Sequence, residues 1–190
     1  NSMIEKQKKE AGEALISTVL FDNFSEVIHD RIPVGHVEPM TDREYYVRGC
    51  TALLDAIGGA IHHIGNIYKH AREEDVPEHT LFVITTDGIE NASRRYDSET
   101  VKKMIERQKA KYGWEFLFLG ANMDAVKEAA RFGISSDRAV RFENDAQGVA
   151  VNYHVVSETV SRMREAPCCA SIGAEWKEQI EADFQKRHHR

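Results

Sequence analysis

The sequence predicts an α/β fold: a mainly parallel sheet with helices on both faces and one antiparallel edge strand. Three observations predict it. The runs TLFVITTDG (residues 80–88) and WEFLFLGAN (residues 114–122) are continuously apolar until they reach their closing loops, the pattern of strands covered on both faces. Segments of helical periodicity precede, separate and follow them. Near the start, two β-branched stretches flank the turn pair Asp22–Asn23, which marks an antiparallel hairpin. At 190 residues, 42% hydrophobic and 29% charged, the chain is large enough to bury one core without disulfides.

The elements follow in order. Residues 3–9 are rich in Glu, Lys and Gln and read as a helix that Gly12 stops. Residues 14–23 form a buried strand. Residues 25–34 alternate, with Val27, His29 and Arg31 on one parity, and Pro33 puts the end of this strand at an edge. A polar stretch, 35–49, leads to a long helix over 52–73 whose Leu53, Leu54, Ile57, Ile61, Ile64 and Ile67 recur at helical spacing. Gly58, Gly59 and Gly65 lie inside it, and close packing against a sheet is the expected compensation for their helix cost of about 1 kcal/mol each. After the strand ending at Asp87, a helix over 98–112 has Ser98 as its cap and Gly113 as its stop. The strand over 114–122 is followed by a helix over 124–132 and a short strand over 138–142. A helix over 146–164 then ends before Pro167. An amphipathic helix over 174–186 presents Trp176, Ile180 and Phe184, and the terminal run KRHHR reads as a solvated tail. Residues 1–166 are assigned to the main domain and 167–190 to a C-terminal helical extension or tail.

Composition narrows the functional classes. A net charge of −6 argues against nucleic acid, which requires a concentrated basic surface. No apolar run approaches the length of a membrane span, and the opening NSMIEKQKKE does not read as a secretory leader. Cys50, Cys168 and Cys169 do not make a disulfide framework, so a reducing, cytoplasmic setting is expected.

Ligands on parallel sheets sit outside the carboxyl ends of the strands. Two loops there bear suitable chemistry: Gly49–Cys50–Thr51 before the long helix, and Thr86–Asp87–Gly88 after the most apolar strand. A hydroxyl and a carboxylate at one edge of a sheet suit a hard divalent cation that keeps several waters.

The segments RGCTALLDAIGGAI, TLFVITTDGIEN and WEFLFLGAN resemble, in order and spacing, the threonine loop, central strand and next strand of von Willebrand factor A-type (vWA) domains. The resemblance covers residues 1–164 and implies a Rossmann-like sheet, with no enzymatic activity. It implies a metal ion-dependent adhesion site in which Thr51 and Asp87 are metal ligands, Asp87 acting through a water. The ion would be Mg2+, or alternatively Mn2+ or Ca2+, with a protein partner's acidic side chain completing its coordination. The family's Asp-x-Ser-x-Ser strand, central in the sheet and source of three of its five ligands, has no match here. The chain is therefore expected to lack the central first strand, to bind metal weakly or not at all, and to leave a gap that a strand swapped from a second copy could fill.

Simpler readings stand beside these. Asp87–Gly88 is also a turn dipeptide, and Thr51 is also a helix cap. Asp55 fits a first-turn acid favoured by the helix dipole, or a second group on the rim. Glu90 and Asn91 could contact a ligand, and Arg94 and Arg95 could recognise an acidic partner, although solvated residues are the simpler reading of both pairs; His62, His63 and His70 read as solvated or packed residues. Tyr45 and Tyr46 read as packing residues or as the flank of a partner surface. Cys50 has no base placed beside it. An α/β hydrolase or nucleotide-binding enzyme would use the same crevice, but none of its glycine-rich or nucleophile-elbow motifs is present. A structural remnant without metal is the third alternative.

Overall fold

The computed structural model describes residues 1–41, 43, 49–166 and 171–188. Helix α1 (Ser2–Gln7) precedes the hairpin of β1 (Leu15–Phe21) and β2 (Ser25–Pro33). Then come α2 (Leu53–His70), β3 (Leu81–Thr86), α3 (Ser98–Tyr112) and β4 (Glu115–Ala121). The chain continues through α4 (Ala125–Arg131), β5 (Ala139–Phe142), α5 (Ala146–Glu165) and α6 (Glu178–His188). The α/β class and the helix–strand alternation are as the periodicity predicts.

Strands β3, β4 and β5 form a parallel sheet in that spatial order. One face, with Ile84, Phe116 and Phe118, is buried under α2, α3 and α4 through Leu53, Ile57, Ile61, Ile105, Ala129 and Phe132. The other face, with Leu117, Leu119, Val140 and Phe142, is buried under α5 and the C-terminal segment through Val155, Val156, Trp176 and Ile180. This double coverage explains why β4 is apolar at nearly every position. Residues 187 and 188 are held by side-chain contacts, though His188 stays exposed: Arg187 pairs with Asp183 at 2.8 Å and with Asp145, and His188 contacts Glu143.

The hairpin stands apart. No backbone hydrogen bond joins β1 to β3 among the described residues, so the molecule has a two-stranded antiparallel sheet and a three-stranded parallel one. The expected single sheet with an antiparallel edge is therefore split. The apolar strand β3, expected to be covered on both faces, lies at an open edge, and its Val83 is 38% exposed. Its composition suits a central strand, but among the described residues β3 pairs with β4 alone.

Helix α1 is fixed to α5. Gln7 Nε2 donates to the Ser157 carbonyl at 3.0 Å and to Ser161 Oγ at 3.0 Å. The Arg164 guanidinium donates to the carbonyls of Gln7, Ala11 and Gly12 at 2.8, 2.9 and 2.7 Å. Arginine's planar fork suits this gathering of helix-end carbonyls.

Element ends differ from the periodicity by a few residues. Asp97, rather than Ser98, caps α3, accepting the Thr100 N–H at 2.7 Å, while Gly113 stops that helix at φ 64°. Two of the three α2 glycines are explained by helix and loop neighbours rather than by a sheet. A β-carbon on Gly58 would stand 2.6 Å from the Tyr96 ring, one on Gly65 would be 3.3 Å from Gln108, and Gly59 faces open space. No described helix is long and apolar enough to cross a membrane.

Candidate functional site

The structure brings the Thr51 and Asp87 loops together at the carboxyl ends of β1 and β3. Thr51 is not the helix cap. Ala52 holds that position, and the Ala52 N–H donates to the carbonyl of Asp22, at the end of β1, at 2.6 Å. Thr51 instead pairs with Asn91: its N–H donates to Asn91 Oδ1 at 2.9 Å, and the Asn91 N–H returns to the Thr51 carbonyl at 3.1 Å. The Thr51 hydroxyl lies so close to Gly88 that a β-carbon there would stand 2.6 Å from Oγ1. Thr86, buried beneath, donates through Oγ1 to the Gly88 carbonyl at 2.9 Å and fixes the turn. Asp87 is exposed, and its Oδ2 accepts from Asn144 Nδ2 at 3.2 Å, which brings in the loop after β5.

A second set of contacts locks the two loops. At the N-terminus of α2, the Leu54 N–H donates to Glu90 Oε2 at 2.8 Å and the Asp55 N–H donates to Ser93 Oγ at 3.0 Å. Glu90 also accepts from the Ala92 N–H, the Ser93 N–H and the Ser93 hydroxyl at 2.9, 2.8 and 2.7 Å. In return, Asp55 accepts the N–H groups of Arg94, Arg95 and Tyr96 at 3.0, 2.9 and 2.9 Å. Each carboxylate thus caps the other's segment, and the helix end acquires caps its own N-cap residue cannot supply.

Burial pushes the Asp55 carboxyl up, but the three backbone N–H groups and the nearby Arg95 charge outweigh it and hold the group below its ordinary value. Glu90 follows the same balance: burial raises it, and the donors from Leu54, Ser93 and Ala92 bring it below the ordinary range.

Of the residues singled out in the sequence, Thr51, Asp55, Asp87, Glu90, Asn91, Arg94 and Arg95 share this end of the molecule. Asp55 is the first-turn acid of α2, and Asp55, Glu90 and the exposed Asn91 all accept backbone N–H groups that hold the two loops together. The signal for Glu90 was its place shortly after a strand-end Asp–Gly, but nothing in one sequence ties that loop to α2. Ser93 and Asn144 have no sequence signal. His62, His63 and His70 lie along α2 away from its N-terminal end, and His63 Nε2 contacts Asp30 at 3.0 Å. Cys50 is exposed beside Thr51. Tyr45, Tyr46, Arg48, Cys168 and Cys169 lie outside the described residues.

As a cation site, this end offers one exposed carboxylate and one hydroxyl. Among the described residues no cluster of three or more His, Cys, Asp or Glu side chains is placed to hold a metal ion. The donors are oxygen, which fits a hard cation that keeps most of its water. Two surface hollows lie elsewhere, one near Met163 and Trp176, the other near His29 and Pro39. The chain matches no known family model and no solved structure.

Proposed function

We propose that this chain is a protein-binding module of vWA type, and not an enzyme, whose contact surface is the Thr51–Asp87 end of the sheet. One observation carries the reading: Thr51 and Asp87, far apart in sequence, stand on loops that the Thr51–Asn91 pair and the close approach of Thr51 to Gly88 hold together at the strand ends. The Asp87 carboxylate and the Thr51 hydroxyl would hold the Mg2+, Mn2+ or Ca2+ ion, which supplies an open coordination position for a partner's acidic side chain. With one carboxylate, the affinity is expected to be roughly millimolar. The split between β1 and β3 supports the finer fold reading, a Rossmann-like sheet whose central strand position is not filled by described residues. Those open edges favour a strand exchanged between two copies. We place the chain in the cytoplasm.

Calorimetric titration with MgCl2 and MnCl2 tests the cation. Heat that saturates for the parent chain and disappears in Asp87→Asn, with unfolding unchanged, supports the reading. No saturable heat with either ion sinks its metal part. Light scattering tests strand exchange, for which a dimer is expected and a strict monomer overturns it.

A further inference from the structure

We infer that the partner of this surface is a protein segment carrying acidic side chains next to large apolar ones, read by Arg94 and Arg95 together with the exposed Phe24 and Ile89 at the same end of the molecule. This names the partner of the proposed contact surface, and it rests on the reading that this end of the sheet meets a protein. It does not require the cation.

The charged half follows from Arg94 and Arg95. Both are exposed, and neither forms an ion pair with a carboxylate among the described residues. Their backbone is fixed by the three hydrogen bonds to Asp55, so two exposed arginines, Arg95 with its guanidinium 5.7 Å from the Tyr96 ring centroid, stand on an ordered loop in a protein of net charge −6. The carboxylates nearest them in the loop framework are already engaged: Asp55 accepts three N–H groups, and Glu90 accepts three N–H groups and a hydroxyl. Arginine pairs with carboxylates through two parallel hydrogen bonds. A pre-ordered backbone lowers the entropy lost when such pairs form.

The apolar half follows from exposure at the same end. Phe24, in the β1–β2 turn, is 78% exposed, and Ile89, following Gly88, is 56% exposed. The Phe24 turn is tied to the Thr51 loop through Asp22, whose N–H donates to the Phe24 carbonyl at 2.9 Å and whose carbonyl accepts from Ala52. The arginine loop is tied to the Thr51 loop through Asn91. The Thr51–Ala52 segment therefore connects the Phe24 turn to the loop that carries Ile89, Arg94 and Arg95. Large apolar side chains and arginines are the groups that dominate binding energy at protein interfaces.

The test is selection from a phage-displayed library of random dodecapeptides against the whole chain, in Mg2+ and in EDTA, followed by affinity measurements on synthetic peptides. The expected winners combine Asp or Glu with Phe, Leu or Trp. Their affinity falls about ten-fold or more in Arg94→Glu/Arg95→Glu and in Phe24→Ser/Ile89→Ser, with unchanged thermal unfolding. Basic or acid-free winners, or acidic winners indifferent to the arginine reversal, overturn the inference. Saturable Mg2+ heat with peptides that ignore the arginines removes this inference and leaves the cation reading. Peptides that depend on the arginines equally in Mg2+ and EDTA, with no Mg2+ heat, do the reverse.

Discussion

Asp55 and Glu90 hold each other's segments: Glu90 accepts the N–H of Leu54 at the start of α2, while Asp55 accepts the N–H of Arg95 on the loop that follows Glu90. Neither contact is local in sequence, yet together they decide where Thr51 and Asp87 stand. Removing either carboxylate strands several backbone donors. Asp55→Ala is expected to cost about 2 kcal/mol in urea unfolding. It should also speed hydrogen exchange at the Arg94, Arg95 and Tyr96 amides well before exchange in β4 changes. Equal acceleration throughout the sheet would show that the lock is not local.

The same two carboxylates set an acid limit. Both are held below their ordinary values in the folded chain, so the unfolded chain binds more protons in the window between the folded and unfolded values. Their stabilisation is complete above the unfolded values, near about pH 4, and is lost as pH falls through the folded ones. The midpoint difference between the parent and Asp55→Asn/Glu90→Gln should be constant above about pH 6 and shrink below about pH 4. A difference that grows on acidification would contradict the assignment.

Gly58 departs from ordinary helix logic. Alanine in a helix interior normally gains about 1 kcal/mol over glycine. Here the added carbon meets the Tyr96 ring at 2.6 Å, so Gly58→Ala is expected to lose about 1–3 kcal/mol instead. In a double-mutant cycle, Tyr96→Ala should convert the loss into the normal gain. Additive effects would mean the ring and the glycine do not interact.

Gly88 gives a parallel test at the candidate site. Gly88→Ala drives a carbon against Thr51 Oγ1, whereas the Thr51 methyl is 3.9 Å from that position. The alanine should destabilise by about 1–3 kcal/mol, and Thr51→Ala should rescue it. Thr51→Val, which replaces the hydroxyl with a methyl of similar size, should not.

How far all this could be read from the sequence depends on the range of the contacts. Apolar periodicity located α2, α3, β4 and α5, because a buried face writes its period into neighbouring residues. Gly113 was legible as a stop because a left-handed end favours glycine. The split of the sheet was expected only through the family resemblance, which implied a gap, and not from composition: β3 carries the composition of a central strand, and composition does not report which neighbour pairs with it. In the site, Thr51 and Asp87 were legible from their places at strand and helix ends. Glu90, Asn91 and Ser93 were not, since their partners on the Thr51–Asp55 segment lie 36 to 40 positions away in the chain. Gly58 and Gly65 carried a true signal of close approach and Gly59 did not, and only the structure names Tyr96 and Gln108 as the approaching groups.

The Arg164 fork on the end of α1 bears on the order in which the molecule is made. Residues 2–12 pack early through Ile4 on Val34 and Val37, but their polar anchors, Ser157, Ser161 and Arg164, lie some 150 positions further along the chain. Closing such a long loop is slow compared with local helix formation. The parallel sheet and its helices can assemble before those long-range bonds close, and Gln7 and the Arg164 fork then fix the first helix against α5.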